Sequence, residues 1–158
     1  LRRAAKAGAQ ELQRTWADRD PDLPLKTPYE ALILASIVEK ETGHGGDRGK
    51  VAAVFINRLR IGMPLQTDPT VIYGLGEDYS GRLRKKDLES DTPWNTYTRP
   101  GLPPTPIANP GKAALLAALH PEHNNYLYFV SRGDGTSEFS TNLAAHNRAV
   151  RKYILKRN

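Results

Sequence analysis

Apolar residues along this chain recur mostly at helical spacing. Between Arg3 and Asp18, Ala5, Ala9, Leu12 and Trp16 alternate at steps of four and three, which predicts a helix with one buried face, interrupted by Gly8. Asp20-Pro21-Asp22-Leu23-Pro24 ends it. A second helix is sharply bounded: Thr27 is suited to the N-cap, Pro28 to the first helical position, Glu30 completes a capping box, and Gly43 supplies the stop. Between those limits apolar residues cover almost the whole circumference, the mark of a buried helix. After a turn over Gly43 to Gly46, Asp47 is placed to cap a third helix with Val51, Phe55 and Leu59 on one ridge, ending at Gly62.

The pattern then changes. Pro64 to Tyr73 reads as extended chain, with Val71, Ile72 and Tyr73 as β-formers, and Lys85 to Glu89 as a single helical turn. Asp91 to Pro110 has no period and is rich in proline, threonine and glycine, with Trp94, Tyr97 and Leu102 interspersed. A loop of that kind in a small domain is usually functional. Asn109-Pro110 opens a helix through Leu115, Leu116 and Leu119 to Pro121. Tyr126 to Ser131 and Ser137 to Phe139, flanking Gly133-Asp134-Gly135, predict a β-hairpin. Thr141 or Asn142 caps a last helix to about Leu155. The sum is an α+β domain: a helical core with short antiparallel strands and a long aromatic loop forming one wall of a groove.

Composition bounds the chemistry. The chain has 158 residues, 39% hydrophobic and 25% charged, which suits one globular domain with a real core. With no cysteine, disulfides, thiolate metal sites and a cysteine nucleophile are excluded. A net charge of +6 suits an anionic partner. No apolar run approaches the roughly 18 residues of a membrane span. Residues 1–20 are expected to be a helix leading from an upstream domain of a longer protein, and residues 21–158 the catalytic domain.

Glu39 is the first candidate for catalysis. It falls on the stripe of Leu32, Ala35 and Ser36, so it is aimed at packed surroundings at the negative end of its helix. Both effects raise a carboxyl pKa, as a general acid for glycosidic cleavage requires. The same pattern fits a glutamate turned to solvent or paired with an arginine. Glu41, two residues on, points to nearly the opposite side and cannot share a substrate with Glu39. Asp68 in Gln66-Thr67-Asp68-Pro69-Thr70 is the better second carboxylate, with an Asx-turn before Pro69 as its plainer reading. His120-x-x-His123 has loose metal spacing, but Pro121 breaks it and no third ligand is evident. No serine sits in a nucleophile elbow, and Gly45 to Lys50 fails as a phosphate loop. His146 is read as a packing or capping residue. Basic residues with Trp94, Tyr97 and Tyr128 could stack bases, but sugars equally well, and no nucleic-acid motif accompanies them.

Several motifs in one order carry a resemblance: Ala35-Ser36-Ile37-Val38-Glu39-Lys40-Glu41-Thr42, Val54-Phe55-Ile56-Asn57-Arg58-Leu59, Leu65-Gln66-Thr67-Asp68-Pro69-Thr70-Val71, Asn95-Thr96-Tyr97, Gly101-Leu102-Pro103-Pro104 with Ile107, and Tyr126-Leu127-Tyr128-Phe129-Val130. From about Ser36 to Tyr153 the chain resembles the catalytic domain of the bacterial endolytic murein transglycosylases. The resemblance implies cleavage of peptidoglycan strands without water, leaving 1,6-anhydro ends, and is read as placing the acid at the first glutamate of Val-Glu-Lys-Glu, Glu39. Ser36, Gln66, Thr67, Asp68, Asn95, Thr96 and Tyr97 are the expected cleft residues. No cofactor, metal or nucleic acid is expected. Peptidoglycan synthases are expected as partners, and the parent protein is expected to be anchored in the inner membrane with this domain in the periplasm. A lysozyme-like core around the catalytic helix is an analogy from the chemistry. The rival readings are a lysozyme-type hydrolase using Glu39 with Asp68, and a non-catalytic glycan- or nucleic-acid-binding module.

Overall fold

The structure, a computed structural model, describes the backbone of residues 2–155 and the side chains from Gln10 to Leu155. The sides of Ala5, Gly8 and Ala9 in the first predicted stripe lie outside the described residues. Helix α1 runs Arg2–Ala17, α2 Pro28–Glu41, α3 Arg48–Ile61, α4 Asp68–Leu75, α5 Lys85–Glu89, α6 Lys112–Leu119 and α7 Leu143–Tyr153, with strands β1 Tyr128–Ser131 and β2 Ser137–Ser140. This is the expected α+β architecture.

Helix α2 is the spine. Ala31 and every residue from Ile33 to Val38 are buried in it, because α6, α3 and α1 pack around its apolar circumference. Its start follows the sequence closely. Thr27 Oγ1 accepts from Glu30 N–H at 3.1 Å, while the Glu30 carboxylate reaches back to Lys26 N–H at 3.0 Å, one residue before the box position. Thr27→Ala should cost about 1 kcal/mol in urea unfolding, the usual worth of an N-cap hydroxyl. At the other end Thr42 Oγ1 caps the Val38 carbonyl at 2.7 Å. Gly43 follows where a Cβ would lie 2.9 Å from the Gly135 carbonyl oxygen, so the hairpin loop packs too close for any side chain.

The core joins α2, α3 and α6 through Leu34, Ile37, Val38, Val51, Phe55, Leu115 and Leu119, with Leu12 and Trp16 of α1 against it. The antiparallel hairpin pairs Phe129 with Phe139, and Phe129 stands edge-on to Phe55 at 5.9 Å, which docks the sheet on α3. Gly62 ends α3 in the left-handed region at φ 74°, as the C-cap expectation required. Asn142 caps α7 by accepting from Ala145 N–H at 2.9 Å.

Three local expectations are corrected. The stretch read as extended over 64–73 becomes helical from Asp68: Pro69 is fixed near helical φ in the first turn, Asp68 favours the helix N-terminus, and these outweigh the β-branched run. Asp47 does not cap α3 with its side chain but accepts from Ser137 N–H at 3.0 Å, tying β2 to the turn before α3. Helix α6 begins at Lys112 with Gly111 as its N-cap, later than Asn109-Pro110 suggested.

Candidate active site

A cavity of about 460 Å³ opens where α2 ends. Its walls come from the end of α2 (Glu41), α3 (Val54, Phe55, Arg58), the link into α4 (Leu65 to Asp68), the aromatic loop (Tyr97), β1 (Tyr128, Phe129) and α7 (Leu143, His146, Asn147). The volume and the mixture of apolar floor and convergent polar groups suit one or two sugar rings.

Glu41 is the last residue of α2, and its Oε1 accepts from Thr67 Oγ1 at 3.0 Å. Burial pushes its carboxyl above the ordinary glutamate value of 4.5, with the nearby Asp68 charge adding to the rise and the Thr67 hydroxyl opposing it. The negative helix terminus acts in the same direction. Asp68 lines the cavity as well, held by the Tyr97 hydroxyl, which donates at 2.5 Å. Burial and the Asp68 bond drive the Tyr97 phenol far above its usual range, so it stays a donor. Tyr97→Phe should lower kcat/KM for strand cleavage about tenfold while thermal melting moves by no more than about 1 kcal/mol, the worth of one hydrogen bond.

The wall behind these groups is cross-tied by hydrogen bonds. Thr96 Oγ1 accepts from Thr67 N–H at 3.0 Å and meets Thr70 Oγ1 at 2.9 Å, and its carbonyl accepts from Gln66 N–H at 3.2 Å. These bonds hold Gln66 at φ +51°, a left-handed conformation that costs a non-glycine residue about 1–3 kcal/mol. Asn95 is buried behind the loop and donates to Leu88 and Ser90 carbonyls while accepting from Tyr97 and Thr98 N–H.

Of the sequence-predicted residues, the structure therefore brings Gln66, Thr67, Asp68 and Tyr97 into the cavity, and sets Asn95 and Thr96 as its buried framework. It does not bring in Glu39 or Ser36. Their stripe on α2 faces α6 and the segment before it: Ser36 Oγ accepts from Ile107 N–H at 3.0 Å, and Glu39 Oε1 accepts from Gly111 N–H at 2.6 Å. Glu39 is a carboxylate on the N-terminus of α6, a favourable place for negative charge. Glu39 and Asp68 consequently do not face each other. His120 and His123 both contact the Asp20 carboxylate, at 2.7 and 3.2 Å, and tie the link after α1 to the end of α6. Among the described residues no group of metal-ligating side chains forms a metal site.

Sequence reasoning did not place Glu41, Arg58 or His146 in the cleft, and Tyr128, weighed there only as a stacking aromatic, lines it as well. The signals were present. Glu41 continues the row of Leu34 and Ile37 to the point where the core gives out, and Arg58 interrupts the apolar row of Val51, Val54 and Phe55. His146, read as a packing residue, stacks on Tyr128 at 4.9 Å and lines the cavity.

A protein of Bacillus subtilis named endolytic murein transglycosylase is 48% identical over 130 residues, which is 82% of this chain and 36% of the relative. One of the same name from Streptococcus pneumoniae is 33% identical over 133 residues, 81% of this chain and 24% of the relative. The chain thus spans about a third or less of the curated relatives it matches. A crystal structure of a yceG-like protein from Listeria monocytogenes superposes with a TM-score of 0.70 at 47% identity, covering 77% of this chain and 38% of that one. The YceG-like family matches residues 1–152, nearly the whole sequence, and the chain belongs to that family.

Proposed function

We propose that this domain is an endolytic lytic transglycosylase acting on peptidoglycan glycan strands, with Glu41 as general acid and then general base. The observation that carries the reading is a protonation-prone carboxyl at the end of a buried helix, opening on a groove of sugar size. The curated relatives' names support the substrate class.

The reaction needs one such group. Glu41, protonated, gives its proton to the glycosidic oxygen between N-acetylmuramic acid and N-acetylglucosamine as the C1–O bond breaks. The resulting carboxylate takes the proton of the C6 hydroxyl on the muramoyl sugar. The C6 oxygen attacks C1, leaving a 1,6-anhydro end and a restored Glu41. The nucleophile belongs to the substrate, so its effective concentration is high and no water is consumed. The Thr67 hydroxyl steadies the carboxylate phase, and burial favours the acid phase. In this proposal Glu41 takes the place expected of Glu39, because the Glu39 carboxylate accepts from Gly111 N–H and is not among the residues lining the groove.

A hydrolytic reading is favoured by one observation: Asp68 shares the cavity with Glu41. Its hydrogen bond to Tyr97 makes it a positioning group in the transglycosylase reading. Digestion of purified strands in ¹⁸O-water distinguishes them. Products one water lighter than hydrolysis products, without label, support the transglycosylase; labelled reducing ends support the hydrolase. As part of the same proposal, the domain works outside the cytoplasmic membrane beside peptidoglycan synthases. No described helix is long and apolar enough to cross a membrane.

A further inference from the structure

Arg58 is the cavity group that the proposed reaction leaves unused. It is 7% exposed. Its Nε donates to the Leu127 carbonyl at 2.8 Å, and its Nη1 to the carbonyls of Pro64 and Leu65 at 2.9 and 3.1 Å, with a longer contact to Gln66 Oε1 at 3.4 Å. Its guanidinium carbon lies 5.1 Å from the centre of the Tyr128 ring. The side chain is therefore locked on one edge.

The other edge is free. Among the described residues Nη2 has no hydrogen-bond partner, yet it is not one of the sealed unpartnered atoms, which are Arg48 Nε, Thr92 Oγ1 and His146 Nδ1. It is not sealed, and the cavity is the space that Arg58 lines. No described carboxylate pairs with it: the ion pairs of the described residues all involve other groups, and Glu41 and Asp68 line the same cavity without reaching Arg58. A buried cation without a counter-charge is costly, and carbonyl dipoles offset only part of that cost. The arrangement has a chemical logic. A guanidinium paired with Glu41 would hold its carboxyl ionised and remove the acid. Kept apart, both charges remain available to a ligand.

His146 adds to the picture without adding charge. Its ring stacks on Tyr128, and its Nδ1 is sealed with no partner, so a second ring proton has no acceptor there. Burial, and next the neighbouring Arg58, lower its pKa below the usual histidine range. The groups facing it from the packed elements are Arg58 of α3 and Tyr128 of β1. Arg58 is thus the one fixed positive charge among the cavity-lining residues.

We propose that the free Nη2 edge of Arg58, with His146 stacked on the shared Tyr128 ring, forms an anion subsite that takes a carboxylate carried by the sugar strand. This rests on the glycan reading of the cleft and adds the rule that selects the strand: acidic glycans over neutral ones of equal length. The carboxylate has two sources of the same chemistry, the lactyl group of a stripped strand or the peptide stem attached to it.

The test alters the ligand, because replacing Arg58 would also release three carbonyls and endanger the fold. Stripped strands and stem-bearing strands, each with free carboxylates or with carboxylates capped as methyl amides, are titrated calorimetrically into the Glu41→Gln protein. Mass spectrometry checks that the strands stay uncut. The guanidinium ¹⁵N resonances of Arg58 are followed in the same protein. Capping should weaken binding at least tenfold, less in high salt, and only uncapped strands should shift Arg58. Loss of affinity on capping stripped strands identifies the lactyl carboxylate, and loss confined to stem-bearing strands identifies the stem; both support the subsite. Equal binding of capped and free strands, or an unmoved Arg58, overturns the subsite and leaves the glycan reading intact. Absence of binding by either form overturns both.

Discussion

Glu41→Gln should abolish strand cleavage, lowering turnover by about a thousandfold or more, within the range that general acid–base catalysis contributes. Glutamine keeps the size of the side chain and can still accept from Thr67, so the cavity keeps its shape. What disappears is the transferable proton. The same substitution should stabilise the protein at neutral pH. A carboxyl whose pKa is raised on folding binds its proton more tightly in the native state, so stability falls as pH climbs above the ordinary 4.5 and through the raised native value. Glutamine does not titrate and escapes that loss. A higher melting temperature at pH 7 than wild type, converging with it below pH 4.5, is the expected pattern. Glu39→Gln makes the contrast. It should keep activity within a few-fold and lose about 0.5–1 kcal/mol of stability, since a charge is removed from the N-terminus of α6. Strand turnover and thermal melts of the two variants side by side check all of this. Full activity in Glu41→Gln with loss in Glu39→Gln would return the acid to Glu39.

Asn95→Ala should be the most damaging change in the framework. The side chain is 1% exposed and uses its full amide, donating to Leu88 and Ser90 carbonyls at 3.0 and 2.8 Å and accepting from Tyr97 and Thr98 N–H at 2.8 and 3.2 Å. Alanine leaves those backbone groups without partners in a closed space. At about 1–3 kcal/mol for each buried group left unsatisfied, and allowing for relaxation, the total is roughly 3–5 kcal/mol. For a domain of this size that is about 10 °C in melting temperature. Activity should fall further than stability alone explains, because Asn95 fixes the backbone of Tyr97, which in turn holds Asp68. Urea unfolding together with kcat measured well below the melting point separates the two effects. A loss under 1 kcal/mol would mean that the loop is held by its prolines and by Trp94 instead.

Much of the fold was legible because its signals are local. Thr27, Pro28 and Glu30 announce the start of α2, Gly62 the end of α3, and Asn142 the start of α7. The hairpin followed from the runs Tyr126 to Ser131 and Ser137 to Phe139 on either side of the turn residues Gly133-Asp134-Gly135. The stretch 64–73 was misread because β-branched Val71 and Ile72 speak for a strand, while the deciding features, Asp68 and Pro69 in the first turn, speak more quietly for a helix. At the site, periodicity correctly separated Glu39 from Glu41 onto different sides of α2. It could not say which side met a neighbour and which met the groove. An apolar stripe carrying a glutamate looks like an aimed acid. Here α6 covers that stripe and brings Gly111 N–H to Glu39. The groove's other wall sets Arg58 against Tyr128 and His146, about seventy and ninety positions further along the chain, a separation that no spacing rule spans.

The central claim is that Glu41 delivers the proton, and its most direct measurement joins a titration to a rate. The side-chain carboxyl of Glu41 is followed by ¹³C NMR across pH in the wild-type domain, and kcat for strand cleavage is recorded over the same range. The account predicts that Glu41 titrates above 4.5 and that cleavage declines at high pH with the same midpoint. A Glu41 that titrates at or below 4.5, or a decline in cleavage that follows a different group, would contradict it.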